Sequence, residues 1–210
     1  MTVPFLILGL FAVGLQIAAE WLGARAARAA AKVASSTAFV AVAYGVGALG
    51  TDHGRWLFVG LLLSWVGDVA LLSDERRIFL GGIVAFLLAH LAYAGAFLTL
   101  GVHGPTVGIA LVAIAPFGGL TMLWLRKGAG NLFPAVAAYV GAIEVMVALA
   151  YGVATPGLRP WPAAATLFFL SDLAVARERF RQSAFINRAI GLPLYYGAQF
   201  AFALSAGPLV

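Results

Sequence analysis

The chain has 210 residues, of which 63% are hydrophobic and 10% charged, with a mean hydropathy of +1.00. Soluble domains carry about 25% charged residues, so this composition belongs to an integral membrane protein. The net charge of +5 would suit nucleic-acid binding in a soluble protein, but here the basic residues fall in short breaks between apolar runs, where membrane orientation accounts for them. The absence of cysteine excludes a disulfide framework, a thiolate metal site and a thiol nucleophile.

Apolar runs near the length that crosses about 30 Å of hydrocarbon recur eight times, at 3–19, 33–49, 56–72, 79–100, 106–125, 132–151, 161–176 and 189–209. The pattern predicts an all-α fold: a polytopic integral membrane protein, a bundle of eight transmembrane helices with short loops, forming one domain over 1–210. The first run is followed, not preceded, by basic residues (Arg25, Arg28 and Lys32), the reverse of a signal peptide, and is expected to be retained as a helix. Lys and Arg on alternate sides number eleven against two, the two being Arg55 and Arg159, which places both termini outside the cytoplasm.

The third and fourth runs are faintly echoed by the seventh and eighth. Each copy has an Asp near the cytoplasmic end of an apolar helix, a charged loop (SDERRI, RERFRQ) and a following helix with a central tyrosine, Tyr93 or Tyr196. Four spans separate the copies, the spacing of a 4+4 parallel repeat.

Within the spans the ionisable side chains are Asp68, His90, Glu144 and Asp172, joined by Tyr44, Tyr93, Tyr139, Asn187, Tyr195, Tyr196 and Gln199. A carboxylate in the bilayer centre costs roughly 2.5–3.5 kcal/mol on insertion scales, so such groups persist mainly where they have a function. Neither aspartate has a Lys or Arg in its own run, and each lies about four residues, or about 6 Å, from the cytoplasmic end of its span. Each alone fits a cap or a partner for loop Arg76 or Arg177; at one depth, the two point to a shared site.

The remaining polar residues leave alternatives open. His90 suits either an interhelical hydrogen bond or a cavity wall; without a second His at i+3 or i+4 it lacks the spacing of a zinc helix, and no metal is expected. Glu144, the deepest carboxyl group, suits either proton handling or hydrogen bonding. Tyr195, Tyr196 and Gln199 cluster just past Pro193, which frees a backbone carbonyl; they suit packing or a polar cavity wall. Lys32, Asn187 and Arg188 open helices on the cytoplasmic side, either as an orientation signal or as receptors for a lipid phosphate.

In order, the segments AKVASSTAFVAVA, GLLLSWVGDVALL, FLGGIVAFLLAHLAY, PAVAAYVGAIEVMVALA, LFFLSDLAVARERF and LYYGAQFAFAL resemble the YhhN-like family of membrane lysoplasmalogenases, over residues 32–204. The chain departs from the family pattern where Val33 follows Lys32 in place of proline, and at Glu144, where an apolar residue is usual. The resemblance implies hydrolysis of the vinyl ether bond of lysoplasmalogens to a fatty aldehyde and a glycerophospho-headgroup, without cofactor. It implies a bacterial inner membrane as location, a lysophospholipid and water as partners, and Asp68, His90, Asp172, Tyr196 and Gln199 as site residues.

That chemistry begins with protonation of the outer alkene carbon and proceeds through an oxocarbenium ion that water captures. Two nearby carboxyl groups in low dielectric do not both ionise easily, so a pair supplies one acid and one anion, as in glycosidases. Asp68 and Asp172 are the expected pair, with His90, Tyr93, Glu144, Asn187, Tyr195, Tyr196, Gln199 and Lys32 binding or orienting substrate. Intramembrane Asp, Glu and His suit a proton-coupled transporter or lipid carrier equally well. An intramembrane aspartyl protease fits less well, since Trp65 stands at the first glycine of its G-x-G-D.

Overall fold

A computed structural model describes residues 2–154 and 160–209; Arg159, one of the two residues counted against the basic side, lies outside the described residues. Eight α-helices are formed: α1 Thr2–Leu22, α2 Arg25–Gly45, α3 Asp52–Ala70, α4 Arg76–Thr99, α5 Gly104–Ala129, α6 Phe133–Gly152, α7 Trp161–Phe180 and α8 Phe185–Leu204.

The expectation of eight helices with breaks between them needs one correction. A 3-10 turn, Gly130–Leu132, carries α5 into α6 with no non-helical residue between, so the described residues make seven uninterrupted helical stretches. Gly130, at φ 51°, makes the reversal there, a conformation cheap only for glycine, and α6 folds back along α5.

Among the described residues, three stretches are long and apolar enough to cross a membrane: Thr2–Leu22, Arg76–Thr99 and the 49 residues of Gly104–Gly152. At 1.5 Å per residue the last measures about 74 Å, enough for two crossings of about 30 Å. The outer face of α5 is correspondingly apolar and open, with Val112, Phe117, Leu120 and Leu123 all more than half exposed.

α2 begins well before the expected position 33. RAARAAAK is made of strong helix formers, and its Arg25, Arg28 and Lys32 lie on the helix rather than in a loop. Arg28 and Lys32, four residues apart, therefore share a face. The expected equal distance of the aspartates from their helix ends is also not found. α3 stops at Ala70, two residues past Asp68, whereas α7 continues to Phe180, eight residues past Asp172.

Neighbouring helices pair as α1 with α2, α3 with α4, α5 with α6 and α7 with α8; α2 also packs on α3 and α8, and α6 on α4 and α7. A contiguous buried cluster that includes Phe39, Leu57, Tyr93, Phe97, Met146, Phe168 and Phe202 joins them. In lipid the gain from bringing helices together comes from close packing and small residues more than from hydrophobicity. Gly60 and Gly67 on α3 serve this purpose: a Cβ on either would collide with the ring of Tyr93 or Phe86 on α4. This approach brings Tyr93 Oη within 3.2 Å of Ser64 Oγ.

Candidate active site

Between these helices lies a cavity of about 440 Å³, lined by both Asp68 and Asp172 and within the size range of small-molecule sites. Its inner walls are apolar, with Ile83, Phe86, Val136, Val140, Ile143 and Phe169, while Lys32, Tyr139, Tyr195 and a ring of charged residues supply the polar part. A cavity so divided suits an amphiphile.

Asp68 is 1% exposed and densely partnered. Lys32 Nζ lies 2.6 Å from its Oδ1, and Ser36 Oγ and Tyr195 Oη each donate to Oδ2 at 2.6 Å. The cation that its own run lacks thus comes from α2, where Lys32 and Ser36 stand one turn apart. A carboxylate with an ammonium on one oxygen and two hydroxyl donors on the other has both oxygens engaged.

Asp172 sits in sparser company. Tyr139 Oη donates to its Oδ2 at 2.9 Å, and His90 Nε2 stands 3.5 Å from the same oxygen. His90 is fully buried, and neither ring nitrogen has a hydrogen-bond partner. Its ring is held edge-on to Tyr139, at 5.1 Å between centroids, and tilted over Phe168 at 4.6 Å. No Lys or Arg of the described residues forms an ion pair with Asp172. The two carboxyl groups therefore belong to separate hydrogen-bond sets on one cavity, with the rings of Tyr195, Phe86 and Phe168 packed together between those sets.

The charged rim is knit by ion pairs. Arg188 Nε lies 3.1 Å from Glu20 of α1, and its Nη1 donates to Glu178 of α7; Arg28 stands 3.8 Å from Glu20. Asn187 donates to Glu178 and to the Gln182 carbonyl and accepts from Arg177, each at 2.7 Å. Glu178 also accepts from Ser183 Oγ and from the Ala184 backbone N–H, which fixes the turn between α7 and α8.

Of the residues singled out from sequence, Lys32, Asp68, Asp172, Asn187 and Tyr195 line the cavity; His90, Tyr93, Glu144, Tyr196 and Gln199 do not. Tyr93 donates to Gln199 Oε1 at 2.7 Å in a separate buried set. Tyr196 donates to Gln16 Oε1 at 3.0 Å and stands 3.5 Å from Ser36, behind the Asp68 cluster. Glu144 faces α5 at Gly118, where an added Cβ would meet its carboxyl group.

Sequence reasoning gave no site role to Gln16, Ser36 or Tyr139. Gln16 had a usable signal, as an uncharged polar residue in an otherwise apolar run, and Ser36 stands one turn from Lys32 on a helix that starts earlier than expected. Among the described residues no group of three or more His, Asp or Glu side chains comes together to hold a metal.

Apolar helices around an amphipathic cavity with two carboxyl groups define a helical membrane protein with an internal, partly polar cavity. The YhhN family profile matches residues 27–206, and the chain belongs to that family. It is similar to lysoplasmalogenase TMEM86A of Bos taurus, 31% identical over 179 residues, or 79% of this chain and 71% of the relative. It is also similar to the lysoplasmalogenase of Mycobacterium bovis, 32% identical over 173 residues (79% and 63%), and to lysoplasmalogenase TMEM86B of Sus scrofa, 36% identical over 145 residues (69% and 60%). No solved structure matches the chain.

Proposed function

We propose that this protein is a lysoplasmalogenase that hydrolyses the vinyl ether bond of a lysoplasmalogen, with Asp172 as the acid and Asp68 as the fixed anion. The observation that carries this assignment is the unequal partnering of two carboxyl groups on one amphipathic cavity. Asp68 has a cation and two hydroxyl donors, whereas Asp172 has one tyrosine donor and an imidazole 3.5 Å away.

Asp172 transfers its proton to the alkene carbon remote from oxygen, and the resulting oxocarbenium ion is captured by water. The captured water's proton returns to the carboxylate, and the hemiacetal collapses to aldehyde and glycerol hydroxyl, so that one water is consumed per bond broken. Preorganised charge facing a developing cation is a large catalytic term in a low-dielectric site; Asp68, fixed by Lys32, Ser36 and Tyr195, supplies it. Lys32 and the rim arginines face the phosphate, and the apolar walls take the alkenyl chain.

We read all eight helices as spans of one domain over 1–210, in a bacterial inner membrane, with both termini outside the cytoplasm. The arginine-rich cavity rim then faces the cytoplasm, in keeping with the positive-inside rule. The 4+4 repeat is supported by matching packing: α2–α3 has its counterpart in α6–α7, and α4–α6 in α8–α2.

The direct test incubates the purified protein with vinyl ether, alkyl ether and acyl lysolipids of one headgroup and measures free aldehyde. Aldehyde from the vinyl ether lipid alone is the expected result; none from it, with uptake of a solute driven by a pH gradient in vesicles, would replace this reading with a transporter.

A further inference from the structure

A second groove, of about 420 Å³, runs over the outer side of α7 between α5 and α8, and it shares Thr121, Leu173, Ala174 and Asn187 with the main cavity. We propose that the seam between α5 and α7 is a lateral portal through which the hydrocarbon chain of a single-chain lipid passes between the bilayer and the cavity, the outer groove holding the chain on its way.

Three observations lead there. The groove's outer rim is apolar and open, as contact with lipid tails would require: Leu120 is 64% exposed and Ile186 and Ile190 are each 51% exposed. The seam is sparsely packed, since α5 packs far less on α7 than on α6, and the tight approach of Gly128 to the Phe180 carbonyl lies at the helix ends, away from Thr121 and Leu173. The polar side chains shared at the seam are already occupied, because Thr121 Oγ1 donates to the Phe117 carbonyl at 2.7 Å and Asn187 bonds to Arg177, Glu178 and the Gln182 carbonyl, so a hydrocarbon chain passing them strips neither of its partners. At one end of the groove stands Arg177, a cation suited to a lipid phosphate.

The chemistry of the products gives the portal a purpose. Cleavage of a lysoplasmalogen yields a water-soluble headgroup and an aldehyde that prefers lipid. The rim of Arg28, Glu20, Glu178 and Arg188 suits the first and not the second. An apolar side opening lets the chain enter from the bilayer, and lets the aldehyde return to it, without passing the charged rim. This inference rests on the lipid reading of the cavity but not on vinyl ether cleavage.

The test uses the full chain in phosphatidylcholine nanodiscs and a non-hydrolysable alkyl ether lysophospholipid with a photoreactive group at its chain end. Labelling of Trp124, Ile186 or Ile190 that excess unlabelled alkyl ether lysolipid lowers about tenfold is expected, whereas labelling by a two-chain phospholipid probe is not lowered. Groove labelling that is not competed, or competed labelling confined to the charged rim, would overturn the portal. In a variant that fills the groove, Leu120→Trp with Ile190→Trp, a long-chain probe should label the cavity about tenfold more slowly while a short, water-soluble probe is slowed far less. Equal slowing of both would also overturn it. Since neither measurement needs turnover, a failed portal and a failed enzyme assignment give different results.

Discussion

The surroundings of Asp68 and Asp172 differ more than their similar settings in sequence suggest. Asp68 lies in the last turn of α3, is almost wholly buried and is bound to Lys32, Ser36 and Tyr195. Asp172 lies within α7, its side chain 18% exposed, with Tyr139 as its hydrogen-bond donor. The comparison teaches that a carboxyl group with both oxygens engaged by three partners is suited to holding charge still, and one with few partners to exchanging a proton.

The largest expected effect is at the sparse site. Asp172→Asn should lower aldehyde release by roughly 10²–10⁴-fold, the range for loss of a general acid, with the thermal unfolding midpoint in detergent little changed. Asp68→Leu should also be inactive but unstable, because removing one member of a buried ion pair costs about 3–5 kcal/mol. Adding Lys32→Met should restore much of the stability and none of the activity. If Asp68→Leu alone unfolds like the wild type, the ion pair is not the structural element described here.

Smaller effects refine the contrast. Tyr139→Phe removes the hydroxyl donor of Asp172 and should lower turnover by up to about tenfold, in line with about 0.5–1.5 kcal/mol for a hydrogen bond to an uncharged carboxyl group. Tyr195→Phe should cost less, since Asp68 keeps Lys32 and Ser36; the reverse order in steady-state kinetics would exchange the roles of the two sites. Glu144→Gln, away from the cavity, should stay within about twofold of wild-type turnover.

Much of the helical order was legible because long apolar runs in a cysteine-free, weakly charged chain leave few alternatives. The start of α2 was not: Arg25, Arg28 and Lys32 look like a polar break when only hydropathy is counted, although an Ala- and Arg-rich segment propagates a helix well. Losing that turn hid the partner of Asp68, since Lys32 was assigned to a helix end rather than to a face shared with Ser36. Hydropathy also does not say which side of a buried helix faces a cavity. Tyr93 and Gln199 therefore stood beside Tyr195 as candidates, although they bond to each other elsewhere. The non-helical break expected between α5 and α6 is not formed, because a 3-10 turn at a glycine reverses the chain without a loop.

Arg188 joins Glu20 of the first helix to Glu178 of the seventh across the cavity rim, and this clasp is electrostatic where the interior contacts are steric. Ions in solution screen exposed pairs over about 8 Å at physiological ionic strength and buried pairs much less. Added salt should therefore loosen the rim before it touches the Lys32–Asp68 pair, and on the proposed reading release of the headgroup should depend on ionic strength more than the bond-breaking step does.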